Sequence, residues 1–192
     1  KEHGLAFVGQ NMVEAGKVNG KEACKYAKEL TGRTDGKIII NNAIPGHSAL
    51  EARALGAKLG VEEYNEANGT KYETEVLATS TNEAEYVSKV EAKWTAEGDN
   101  IVAFAGCDSM SFGIGLFLRA RNLAGKVAGG GFDLDDPTLQ AIKDGRLQWT
   151  VGQGPYTQGW ITSCLIWQAL ERNIPANDYN TAMEVIDASN ID

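Results

Sequence analysis

The chain has 192 residues, 43% hydrophobic and 23% charged, with a formal net charge of −8, the make-up of a globular domain with one good core and too few residues for two ordinary domains. The acidic balance argues against a nucleic-acid partner, which needs a basic face, and against an anionic membrane surface. No apolar run approaches the ~20 residues that span a bilayer, and Lys1-Glu2-His3-Gly4 opens no signal-peptide core, so the expectation is that a leader has been removed or that the chain begins inside a longer protein.

In chain order, a short apolar strand is expected over 5–8, ending at Gly9-Gln10-Asn11. A helix follows to residue 30, with Val13, Ala23, Tyr26, Ala27 and Leu30 on one stripe and Thr31-Gly32 as its stop. Residues 37–41 are the continuous apolar run of a buried parallel strand, and a loop from Asn41 to Gly46 follows. A long helix is expected over 48–68, with Ala49, Ala52, Leu55, Leu59 and Tyr64 inward and Asn68-Gly69 as its stop. After a strand over 72–78, Ser80 and Glu83 read as a capping box for a helix ending at 97. A buried strand over 101–105 leads to a helix over 109–122.

The stretch from 127 to 159 organises the rest. A small-residue strand over 127–131 delivers Phe132-Asp133. Asp135-Asp136-Pro137 then opens a short helix, acids serving the free N–H groups and Pro suiting the first turn, and Gly145 ends it. A strand over 147–151 stops at Gly152-Gln153, a helix covers 156–172 and a last strand 183–187. Strand and helix alternate throughout, which gives an α/β fold: a doubly wound, mostly parallel sheet with helices on both faces.

In such sheets ligands bind outside the carboxyl ends of the strands. Those ends carry Gln10-Asn11, Asn41-Asn42, Cys107-Asp108, Phe132-Asp133 and Gln153, with Arg53 at the start of the second helix. A sugar offers hydroxyls that donate and accept, and apolar C–H faces. Acids, amides, an Arg fork and an aromatic ring suit it, and Asn11, Asp133, Gln153, Arg53 and Phe132 are of those types. Asn and Asp at strand ends are also plain turn formers.

The blocks GGFDLDDPTLQAIKDG and TVGQGPYTQG resemble the sugar-binding proteins of bacterial ABC importers, the ribose-binding-like group with the type I periplasmic fold. The resemblance implies a periplasmic or extracellular, membrane-anchored binding component that delivers a monosaccharide or polyol to a membrane permease, with no cofactor, metal or catalysis. It implies a sugar contact for Asn11 in VGQNMVEAG, Arg53 in PGHSALEARALG, Asp133 and Gln153. In GCDSMSFG, Cys107 stands where the family has the Asn of an Asn-Asp pair and Asp108 keeps the acid, so one contact is lost or replaced.

The resemblance covers only the family's second half. The expected division is a C-terminal sugar-binding lobe over 1–155, a helix over 156–175 belonging to an absent first lobe, and a return strand and tail over 176–192. The chain is thus expected to be a lobe fragment whose helix docks on the missing lobe or on a second copy. The alternative is the effector-binding lobe of a lactose-repressor-type regulator, which shares the fold.

Other chemistries fit poorly. Gly46-His47-Ser48 lacks the final Gly of a nucleophile elbow, where Leu50 stands, and only His3 and His47 are available as bases. Gly129-Gly130-Gly131 is no dinucleotide fingerprint. Cys24, Cys107 and Cys164 have no zinc spacing; Cys24 and Cys164 are expected to be buried apolar residues, and a single disulfide stays open.

Overall fold

The computed structural model describes residues 6–181 and 183–191; His3 and part of the strand expected over 5–8 lie outside them. The elements are β1 (Val8–Gly9), α1 (Met12–Thr31), β2 (Asp35–Asn42), α2 (Ser48–Asn68), β3 (Lys71–Ala78), α3 (Glu83–Glu97), β4 (Ile101–Gly106), α4 (Phe112–Ala120), β5 (Ala128–Phe132), α5 (Asp136–Lys143), β6 (Trp149–Val151), α6 (Pro155–Arg172), β7 (Tyr179–Asn180) and β8 (Val185–Asp187). Six strands make one sheet in the order β3-β2-β4-β5-β6-β8. All its pairs are parallel except β6 with β8. The doubly wound sheet read from the alternation of strand and helix is therefore present. The chain runs outward from β2 to β3 on one side and from β4 to β6 on the other, so the switch point lies between β2 and β4.

One core joins α1 and Val61 of α2 to the sheet through Ile38, Ala103, Ala128, Phe132 and Trp149. The other joins α3, α4 and α5 through Ile39, Phe104, Ile114 and Ile142. Asn19 pins α1 to the sheet: it donates to the Gly106 carbonyl (3.0 Å) and accepts from the Trp149 indole (2.8 Å).

α1 and α2 cross without intervening side chains. A Cβ on Gly16 would lie 2.2 Å from the Arg53 carbonyl oxygen, and one on Gly56 would lie 2.1 Å from that of Val13. This crossing overturns the inward face expected for α2. The buried residues are Leu50, Arg53, Ala54, Gly56, Ala57, Gly60 and Val61, whereas Leu55 is 53% exposed. Contact between helix backbones selects the face with the smallest side chains, not the bulkiest apolar ones.

Local signals shift in three further places. The cap of α3 is Asn82, whose Oδ1 accepts from the Glu85 N–H at 3.1 Å, while Ser80 donates to the Glu85 carboxylate. The helix expected over 109–122 opens with a 3₁₀ turn, Ser109–Ser111, and ends at Ala120. Asp135 holds the cap position of α5 without a side-chain cap bond.

β1 is not part of the six-stranded sheet. It pairs in parallel with β7, which the sequence reading did not anticipate. α6 lies against this ribbon, with Leu165, Ile166 and Ala169 around a hollow shared with Ala6 and Val8. No α6 residue is buried, and Trp160, Trp167 and Leu170 are exposed. Three crossings join this small assembly to the large sheet, at 10–11, at 152–154 and between β7 and β8. Cys24 and Cys107 are buried free thiols and Cys164 a half-buried one, contrary to the burial expected of it. Among the described residues no helix is long and apolar enough to cross a membrane.

Candidate functional site

Arg53 enters from the second turn of α2 toward the carboxyl end of β4. Its Nη1 donates to the Cys107 carbonyl (3.0 Å) and its Nη2 to Gln10 Oε1 (3.2 Å). The guanidinium carbon lies over the Phe132 ring, 3.9 Å from its centroid. Only 5% of Arg53 is exposed. Burial pulls its pKa below the ordinary value, against the opposing pull of the Asp133 carboxylate. Its Nε has no protein partner.

Asp133 follows β5 with φ +74°, a left-handed conformation that an acid tolerates better than most residues. The turn is held on both sides: the Asp133 N–H donates to the Val151 carbonyl (3.1 Å), and the Thr150 hydroxyl donates to the Asp133 carbonyl (2.7 Å). This aims the carboxylate at Gln153, whose Nε2 donates to Asp133 Oδ1 at 2.6 Å. The pair lies at the mouth of a cavity of about 330 Å³ that Ser109, Leu134, Asp135 and Pro155 complete.

The structure thus brings together Arg53, Asp133 and Gln153 of the residues read from sequence. Four others stand differently. The Phe132 ring is 0% exposed and packs in the α1 core, so it supports Arg53 from beneath and offers no face to a ligand. The Cys107 thiol is packed among Ile40, Leu50, Ala54 and Ala57, where burial pushes its pKa up to about 12. Only its carbonyl reaches the site.

Asp108 spends both oxygens on backbone N–H groups, Met110 (2.9 Å) and Ala43 (3.0 Å), and burial raises its pKa. It is a loop clamp. Asn11 caps α1, accepting from the Glu14 N–H at 3.2 Å, and lines a separate hollow with Phe7 and Tyr179.

Two residues were missed. Gln10, read from sequence only as a strand end, has its amide buried beside Arg53. Leu134 was passed over because Phe132 filled the apolar role. Among the described residues no group of His, Cys, Asp and Glu is placed to hold a metal.

The family described as "Periplasmic binding protein domain" matches residues 1–173. The xylose/arabinose-binding protein XylF of Sulfolobus acidocaldarius is 26% identical over 168 residues, which is 85% of this chain and 39% of that protein. A carbohydrate transporter solute-binding protein of Agrobacterium radiobacter, solved with D-arabinose, superposes with a TM-score of 0.82 at 22% identity, over 97% of this chain and 62% of that one. An ABC transporter solute-binding protein of Burkholderia graminis, also solved with D-arabinose, gives 0.80 at 25% identity, over 97% of this chain and 63% of that one. GanP, a glucose-galactose-binding protein of Geobacillus stearothermophilus, gives 0.82 at 18%, over 96% and 63%. This chain therefore spans about two fifths of the curated relative and about three fifths of the solved ones. The chain shares the fold of these relatives over the superposed part, and with the match running from residue 1 to residue 173 it belongs to the periplasmic binding protein domain family.

Proposed function

We propose that the chain supplies one wall of a sugar-binding cleft, in a solute-binding protein that hands a monosaccharide or related polyol to the permease of an ABC importer. The observation that carries this reading is the Asp133–Gln153 pair at the mouth of its cavity. A carboxylate that accepts one bond keeps lone pairs for sugar hydroxyls, and Gln153 keeps an acceptor and a second N–H. Leu134, 40% exposed on the same cavity, offers the apolar surface for a ring face. The names of the relatives, xylose/arabinose-binding in one and D-arabinose-bound in two, support a small neutral aldose. The protein acts by binding, without catalysis, in the periplasm or at the outer face of an anchoring membrane. The exposed face of α6 receives the first lobe or a second copy.

Calorimetric titration with D-xylose, D- and L-arabinose, D-allose and D-fucose tests the reading, using this chain joined to a first lobe. At least one sugar should bind, and Asp133→Ala should weaken that sugar at least a hundredfold. Binding of none, or unchanged affinity in Asp133→Ala, would overturn it.

A further inference from the structure

The three crossings are tied to one another. The Gly152 N–H donates to the Glu184 carbonyl (2.8 Å), and the Thr181 hydroxyl donates to the Gln153 carbonyl (2.8 Å). These bonds join the second crossing to the third. The first crossing is joined to the second by a side chain: Gln10 Nε2 donates to the Gly152 carbonyl at 2.9 Å. The other end of the same amide, Oε1, accepts from Arg53 Nη2. Gln10 is 1% exposed, so both bonds are made out of water, where leaving either partner unmet is costly.

We propose that Gln10 is a positioning residue that fixes the Arg53 guanidinium and couples it to the crossings that join the two parts of the chain. The inference rests on the sugar-cleft reading for its purpose and on these bonds for its mechanism. A primary amide suits the place because it donates and accepts at once. A carboxylate would keep the bond from Arg53 but face the Gly152 carbonyl with a second acceptor. A thioether of similar length makes neither bond well. With the amide in place, the Arg53 guanidinium and the strand ends at the crossings share one hydrogen-bonded unit. A ligand that draws on Arg53 therefore alters the crossings directly.

The test is ligand-free at its centre. Amide hydrogen exchange is followed in the wild type, Gln10→Met and Gln10→Glu, together with the exchange of the Arg53 guanidinium protons by NMR. In Gln10→Met the amides of Gly152 and Thr181 should exchange at least tenfold faster, and the Arg53 protons likewise, while amides of β4 keep their rates. Gln10→Glu should separate the two functions, with fast Gly152 and Thr181 amides and slow Arg53 protons. Wild-type rates at Gly152, Thr181 and Arg53 in Gln10→Met would overturn the proposal, as would uniform acceleration that includes β4. The sugar titration above fails or succeeds independently: a wild type that binds no sugar removes the sugar reading, and the exchange data still decide the coupling.

Discussion

The guanidinium of Arg53 and the ring of Phe132 form a buried stack, 3.9 Å from cation to ring centroid. The ring face is electron-rich, and a desolvated cation on it gains about 2 kcal/mol. In the same placement the guanidinium donates to Gln10 and to the Cys107 carbonyl. A lysine ammonium has no such plane and no fork. Arg53→Lys should therefore destabilise the fold by about 2–4 kcal/mol, since buried acceptors are left unmet. Urea unfolding measures this, and a change within error of zero would mean that the stack holds nothing.

The left-handed turn at Asp133 sorts its substitutions. Asp133→Asn keeps a residue that tolerates positive φ. It should unfold within about 0.5 kcal/mol of the wild type. It should still bind sugar at least tenfold more weakly, because it loses the charge-assisted bonds. Asp133→Val should cost more than Asn in stability, by about 1–2 kcal/mol of backbone strain. Equal stability of the two variants would show that the turn is not strained.

The buried thiols set an alkaline limit. Burial raises the pKa of both Cys24 and Cys107 from an ordinary value near 9 to about 12. The fold holds them as neutral thiols, so their contribution is fully present below pH 9 and is lost as the pH rises through about 12. Tyrosines add to the same fall: buried Tyr72 is raised to about 12, and buried Tyr86 and half-buried Tyr26 and Tyr64 are raised as well. The paired variant Cys24→Ala/Cys107→Ala should therefore lose stability less steeply between pH 9 and 12, by about 1.4 kcal/mol per pH unit for each thiol removed. Denaturation at pH 7, 9, 10 and 11 reads it out, and identical slopes would refute the assignment. At pH 8 an aromatic disulfide reagent should label Cys164 first, since it alone of the three is not buried.

The face of α6 predicts association. Tyr156 is 81% exposed, Leu170 79% and Trp160 61%, all on one helix. Apolar patches of this kind find partners. These 192 residues alone should sediment as a species heavier than 20.6 kDa. They should also bind sugar no more tightly than the millimolar range, roughly 4 kcal/mol, because one wall leaves the ligand in water. Trp160→Ser with Leu170→Ser should return the particle to its monomer mass. A monomeric wild type with micromolar binding would contradict both statements.

How far the sequence carried the structure depends on what each residue had to specify. The bounds of α2 were legible because Asn68-Gly69 is a chemical stop, and Gly69 does take φ +63°. Its buried face was not, because the apolar pattern gives weight to Leu55 and none to Gly56 and Gly60, whose value lies in what they lack. Strand order told that Phe132 stands at a strand end. Alternation along β5 also places it on the side of Ala128 and Gly130, against Trp149, and that signal was readable and passed over. Cys107 misled for a similar reason: its position in the chain is at a strand end, but its side chain packs against Ile40 and the α2 residues Leu50, Ala54 and Ala57. β7, two residues long, carries no periodicity to read.

The crossing of α1 and α2 has a mechanical consequence. The atom that a Cβ on Gly16 would strike first is the carbonyl oxygen of Arg53 itself. Backbone rests on backbone there, with no layer of side chains between them to yield. The two helices form a stiff plate, and Arg53 is bolted to it. Such a wall has no soft adjustment by which a substitution elsewhere tilts the arginine. If the proposed sugar cleft holds, retuning it falls to cavity-lining positions such as Ser109, Leu134 and Gln153, where a side chain can be exchanged without moving the plate.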